Sequence, residues 1–474
     1  MSFIGSRPRV AIIGGGLAGL ECALSAAMSG CTAEIIEAGP ATRTRHMDWD
    51  TAIHPGDEKV RSWTSENWGL GGGLSERLGG RSLCYHGVLL KLDTETLASW
   101  GPIWCDRLTG SGGLYNRVLD RLRPEFPELT PGSHALRLGA LGLFHTPQAA
   151  RLDTDGRFEA YSPLAAVNSL VKEGVITIRR GRATSIVRGG EGSWDIMLSG
   201  ASGGDRIRGF DKCVLAASAI SNTQILARSL DRSIATTVTD HFCIGAFLRL
   251  PPGTPLSAYR HRMLWSGYKE IPELRTNLFF LERPAFPNGD RLVQIVAVTE
   301  QQDGSEYYSK LKVHIDTAQR TKTHISGQVT AHDTARLVQV HSRVVQWAET
   351  LAGATVTELA PISEAAAIRV ANMPSVEDKR LLDRDAAWAA ITASQHPNVL
   401  SRFELPYGGF EHEACTHPIG DTGAVPVSPD LEVRELPQVY VAGPGAFPRL
   451  GAANPALTIL ATSQWLGARL AERI

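Results

Sequence analysis

Residues 9–37 open with R-V-A-I-I from Arg9 to Ile13 and G-G-G-L-A-G from Gly14 to Gly19. An Ala- and Leu-rich stretch follows from Leu20 to Ser29, then E-I-I-E from Glu34 to Glu37. The first run is short and apolar, as in a strand buried on both faces. Leu20 to Ser29 keeps Ala and Leu on one face and Glu21 off it, which predicts a helix. Glu34-Ile35-Ile36 predicts a second strand ending in Glu37. Gly14, Gly16 and Gly19 stand in G-x-G-x-x-G spacing between them. Gly14 permits the tight turn, Gly16 lets a pyrophosphate approach the backbone, and Gly19 lets the helix pack closely on the strand. The helix N-terminus then faces the phosphates. Glu37 lies 37 − 19 = 18 residues past the last glycine, where a carboxylate accepts a ribose hydroxyl. A lone G-x-G-x-x-G is weak, but strand, turn, helix, strand and acid in this order predict a dinucleotide site. The element does not separate FAD from NAD.

The 474 residues are too many for one ordinary core and enough for two lobes. A composition that is 43% hydrophobic and 20% charged is that of a globular protein. The net charge of -1 gives no reason to expect nucleic acid or an anionic membrane as partner. Arg179-Arg180 and Arg206 to Arg208 fit a solvated surface better than a binding patch. The seven cysteines are irregularly spaced and form no C-x-x-C, which predicts reduced thiols and a cytoplasmic setting. No uninterrupted apolar run is long enough to span a bilayer.

Further along, Lys212 to Ala219 predicts another buried strand ending in small residues, which let the backbone come close to a ligand. Thr177 to Arg182 and Ser193 to Leu198 alternate like paired strands, separated by the turn Gly189 to Gly192. Asn222 to Ser229 predicts a helix. From about residue 245 to 405 the style changes. Thr276 to Glu282 and Leu292 to Thr299 predict antiparallel strands. Ala331 opens an amphipathic helix to about Leu351, with Asp333 as its expected N-cap. Gln438 to Gly443 resumes the character of the first sheet, so the lobes interleave in sequence.

The tail carries chemistry. H-E-A-C-T-H-P-I-G from His412 to Gly420 offers two candidate proton acceptors, His412 and His417. Asn454-Pro455 then starts a helix, with Asn454 expected as N-cap and Pro455 as the first helical residue. Such a start presents free N–H groups and a positive dipole end.

Four blocks together resemble the glucose–methanol–choline (GMC) family of FAD-dependent oxidoreductases. They are Gly14 to Gly19 with Glu37; Leu78-Gly79-Gly80-Arg81-Ser82; Val214 to Thr223 with Asp240-His241; and the tail, with Asn454-Pro455-Ala456-Leu457-Thr458 its most specific part. The tail looks closest to the pyranose-oxidase-like branch. The blocks touch roughly a third of the chain.

The resemblance implies an α/β fold. A Rossmann-like FAD-binding domain (1–100, 160–244 and 406–474) interleaves with an α+β substrate domain built on an antiparallel sheet (245–405). Residues 101–159 form a connecting or cap segment. It implies non-covalent FAD bordered by Gly14, Gly16, Leu17, Ala18, Gly19, Glu37, Gly79, Gly80, Arg81, Ser82, Ala183, Ala217, Gly443 and Pro455. It implies that a hydroxyl is oxidised to a carbonyl, with a histidine as base and Asn454 beside it. The family's His-x-x-Gly-Thr-x-x-Met-Gly register makes His412 the base, 454 − 412 = 42 residues before Asn454. A cholesterol-oxidase-like register would make it His417. His412 is favoured because Thr416 and Gly420 also fall into place. The departure is Cys415, where the family usually has Gly. The substrate expected from the branch is a sugar, glycoside, aminoglycoside or nucleoside; a steroid or aryl alcohol is the alternative. Oxygen or another compound accepts the electrons.

Blander readings remain beside these. His412, Cys415 and His417 allow a metal by residue type but lack a second ligand pair, so no metal is expected. Some relatives attach FAD through a His four residues after the Gly-Gly; here that position is Cys84, and His86 is a weaker candidate. The tryptophans from Trp49 to Trp104 fit packing better than recognition. A different flavoenzyme, a pyridine-nucleotide dehydrogenase and a non-catalytic flavin-binding scaffold are the rival functions.

Overall fold

The computed structural model describes residues 7–472 except 42–44, 48–58, 61, 70–73, 133–134, 201–204, 254–255, 257–259, 318–319, 360–383 and 422. Trp49 falls outside the described residues. The Arg9–Ile13 run is the central strand of a five-stranded sheet ordered Val439–Val441, Lys212–Leu215, Arg9–Ile13, Thr32–Glu37, Ile176–Arg180. Every pairing in it is parallel. A parallel sheet covered on both faces needs continuous apolar strands, and Val10, Ala11, Ile12 and Ile13 are all buried. The glycine turn after the first strand leads into a helix, Leu17–Met28, that begins earlier than the Ala/Leu pattern suggested.

The expected pairing of residues 177–182 with 193–198 is wrong. Ile176–Arg180 belongs to the parallel sheet beside Thr32–Glu37. Trp194–Leu198 pairs instead with Ala183–Arg188 and with Arg206–Phe210, in a separate three-stranded antiparallel ribbon. The strands Ile176–Arg180 and Ala183–Arg188 are separated only by Gly181-Arg182, a break that pattern alone did not place.

The second lobe is built on a six-stranded sheet ordered Gly267–Ile271, Thr276–Arg283, Arg291–Thr299, Phe242–Leu250, Val399–Glu404, Thr357–Glu358. Its pairings are antiparallel except the last. The helix Ala331–Ala352 packs against Phe242–Leu250 and Arg291–Thr299. Asp333 is not its N-cap: Thr330 caps it, and Asp333 closes a capping box from the third helical position. A four-stranded sheet joins Ile234–Val238, Ser309–Ile315, Thr321–Ser326 and the early strand Thr64–Glu66. The chain thus crosses between lobes several times. Among the described residues, no helix is long and apolar enough to cross a membrane.

Candidate active site

A cavity of ≈ 470 Å³ lies between the C-terminal ends of the parallel strands and one face of the six-stranded sheet. This is where open α/β sheets hold their ligands. At the first turn Gly14 adopts φ +105°, and a Cβ there would meet the Ala216 carbonyl oxygen at 2.4 Å. A Cβ on Gly16 would meet nothing within 4 Å. Gly16 lines the cavity, so that open space is where a pyrophosphate fits. Gly16 also sits at the start of Leu17–Met28 with no side-chain cap, which leaves the first N–H groups for an anion.

Glu37 also lines the cavity. Its Oε2 accepts the Gly15 N–H at 2.7 Å and its Oε1 accepts the Gly39 N–H at 2.8 Å. Burial pushes its carboxyl above the usual range, against those N–H donors. Leu17, Ala18, Gly80, Arg81, Ser82, Ala183, Ala217, Gly443 and Pro455 border the same cavity. Gly19 and Gly79 are not among its lining residues. A Cβ on Gly19 would lie 1.9 Å from the Gly14 carbonyl oxygen, so it serves helix–strand packing. Gly79 has φ +97° and donates its N–H to the Gly15 carbonyl at 2.8 Å, which docks the second glycine segment on the first.

His412 and Asn454 line the cavity and His417 does not. The His417 side chain is fully buried, with Nε2 2.9 Å from the Thr223 hydroxyl. Burial lowers its pKa to about 3. His412 Nδ1 lies 2.8 Å from His241 Nδ1, and His241 Nε2 lies 2.6 Å from the Gly451 carbonyl. Burial, then the neighbouring His241 and Arg81, hold His412 well below its ordinary pKa. Phe410 packs edge-on against His412 at 4.6 Å. The backbone N–H groups of His241 and His412 donate to Asp240 Oδ1 at 2.7 and 3.0 Å. Cys415, the position where Gly was expected, has φ +63°. The family's glycine preference there thus has a backbone reason, and this chain meets it with a strained cysteine.

The expected cap at Asn454 is not made. Pro455 occupies the cap position of Ala456–Arg469 with no side-chain cap. Asn454 lines the cavity, and its Oδ1 is buried with no partner among the described residues. An unmet buried acceptor costs about 1–3 kcal/mol unless a ligand meets it.

Opposite these groups stands a wall that sequence reasoning did not identify. Phe279, Leu281 and Arg283 alternate along one strand, and Gln294, Val296 and Val298 along its partner. Phe279 stands directly across from Val296, and Leu281 from Gln294. Met263, Trp265, Phe403 and Leu405 extend the surface. The period-two alternation was visible; which face met the site was not. Ser218, at the turn into Ala219–Ser229 with φ +81°, also lines the cavity and was missed. Cys84 does not line it, whereas His86 does, with Nδ1 3.1 Å from the Met263 carbonyl.

Residues 9–281 match the family model described as FAD dependent oxidoreductase. Residues 309–463 match one described as GMC oxidoreductase. No curated protein matches the chain. Among solved structures, the chain resembles pyridoxine 4-oxidase from Mesorbium loti at 16% identity and a TM-score of 0.59. That likeness covers 97% of this chain and 98% of the other, and it speaks for the fold. The glycine cradle, the acid at Glu37 and the cavity beneath them suit FAD, and the chain belongs to the FAD-dependent oxidoreductases, with the C-terminal region of the GMC family.

Proposed function

We propose that the protein oxidises the hydroxyl of an apolar, aromatic alcohol, with His412 as general base and Asn454 holding the reacting oxygen. The observation that carries this is the single cavity that His412 and Asn454 share with the glycine cradle and the apolar sheet face. FAD, when bound, supplies the two-electron acceptor for the alcohol carbon. His412 takes the hydroxyl proton. A base buried and held neutral is ready for that task across physiological pH. The Asn454 side-chain N–H donates to the substrate oxygen as its proton leaves for His412. Pro455 and the uncapped start of Ala456–Arg469 aim a positive dipole end at the cavity, suited to charge that develops there.

The wall argues for the substrate class. Trp265, Phe279, Phe403 and Phe410 with Met263, Leu281, Val296 and Val298 offer stacking and apolar contact. A polyhydroxylated sugar asks instead for many hydrogen-bonding partners, and Gln294 is engaged by the Arg283 Nε at 3.0 Å. The sheet face therefore favours the aryl alternative over the sugar expected from the branch. We take the division between a FAD-binding lobe and a substrate lobe to follow the two large sheets. Seven free cysteines accord with a cytoplasmic setting.

The test is anaerobic bleaching of the bound flavin by a panel of benzylic and hydroxymethyl-pyridine alcohols, pyridoxine included, against sugars, nucleosides and steroids. Bleaching by aryl alcohols with little by sugars is expected. Bleaching by sugars alone overturns the substrate class, and bleaching by nothing in the panel favours a non-catalytic scaffold. Reoxidation in air, or its absence, separates oxygen from another acceptor.

A further inference from the structure

We infer that His241 is a positioning residue that keeps the proton of His412 on Nδ1, leaving Nε2 as the basic nitrogen. The inference rests on the reading of His412 as the base. It follows from an unbroken line of hydrogen bonds. The Gly451 carbonyl can only accept, so His241 Nε2, 2.6 Å away, carries a proton. His241 is 1% exposed, and burial lowers its pKa to about 4, so its ring is neutral and holds that proton alone. Its Nδ1 is therefore a bare acceptor. The 2.8 Å contact between the two Nδ1 atoms needs one proton between them, and only His412 can supply it. A neutral His412 has no second proton, and its Nε2 is left with a free lone pair.

The line is anchored at its far end. The Gly451 N–H donates to Glu300 Oε1 at 3.0 Å. Arg449 grips Glu300 through Nε and Nη2, both at 2.7 Å, and all three side chains of this anchor and of His241 are buried. At the near end, Asp240 holds the backbones of both histidines. Without the His241 acceptor, His412 is free to place its proton on either nitrogen, and the fraction with a basic Nε2 falls.

The test is ¹⁵N NMR of histidine-labelled holoenzyme together with rapid-mixing kinetics. In the native protein His412 should show a protonated Nδ1 and a bare Nε2. In His241→Leu the tautomers should mix, with flavin reduction slowed roughly fivefold to tenfold and FAD retained. His241→Asn puts an amide oxygen where Nδ1 stood, and should restore the tautomer and most of the rate. A native His412 with its proton on Nε2 overturns the inference, even if the leucine variant fails to fold. Equal slowing in the leucine and asparagine variants, with the native tautomer kept in both, also overturns it. Unaltered reduction in His412→Ala would instead sink the base reading, while the NMR result still decides the tautomer.

Discussion

Arg81 and Glu413 meet side chain to side chain, Nη1 to Oε2 at 2.8 Å and Nη2 to Oε1 at 3.0 Å. Arg81 Nε also lies 3.3 Å from Glu411 Oε2, and Nη1 donates to the Glu411 carbonyl. One guanidinium thus ties the Gly79-Gly80 segment to the loop that carries His412. Burial opposes its charge, but Glu413 and Glu411 outweigh that and hold Arg81 strongly protonated. Glu413→Gln keeps the shape and removes the charge. It should cost about 1.5–3 kcal/mol of stability, the range for hydrogen bonds to charged groups. Urea unfolding checks this, and a loss below about 0.5 kcal/mol would place the pair among inconsequential surface bridges.

Two neighbouring glycines should fail in different ways. Gly14→Ala forces a Cβ into the Ala216 carbonyl at an unfavourable φ, so the apoprotein itself should be destabilised. Gly16→Ala adds a methyl that meets no protein atom. Its apoprotein should melt as the native one does, while FAD affinity drops about tenfold or more as the methyl blocks close approach. Melting curves of both apoproteins and flavin absorbance on titration with FAD separate the cases.

The lowered pKa of His412 sets a pH dependence. The neutral ring is the active form, so activity is lost as pH falls through its pKa. With that pKa well below 6.5, flavin reduction at saturating alcohol should stay level through pH 6.5 and fall only at clearly more acidic pH. A midpoint at or above 6.5 in the rapid-mixing profile would contradict the burial of His412.

The first 37 residues made the nucleotide-binding half legible, because strand, turn and helix there each obey a local rule. His412 and Asn454 were singled out through the tail's likeness to the GMC motif, and both line the cavity. What was not legible depends on contacts distant in sequence. The partner of Trp194–Leu198 was misassigned because alternation does not name its neighbour. Asn454 was expected as a cap because its type and its neighbour Pro455 suit one. Pro455 takes the cap position instead and Asn454 lines the cavity, which a local rule cannot see. The contact between His241 and His412 spans 171 positions and left no local signal.

The apolar wall gives a prediction for binding. Phe279 lies directly across from Val296 and borders the cavity between Trp265 at 5.5 Å and Tyr268 at 6.0 Å. Phe279→Ala should raise KM for an aryl alcohol about tenfold, with kcat changed less, since a lost aromatic contact is worth about 0.5–1.5 kcal/mol beyond area burial. Steady-state kinetics on one aryl and one aliphatic alcohol check it, and an equal effect on both would argue against stacking.

The most direct measurement is anaerobic rapid mixing of His412→Ala with the best alcohol, beside His417→Ala. The expected result is retained FAD and flavin reduction slowed by roughly 10²–10⁴-fold in the first variant, with near-native reduction in the second. Unchanged reduction in His412→Ala with a crippled His417→Ala would contradict the placement of the base.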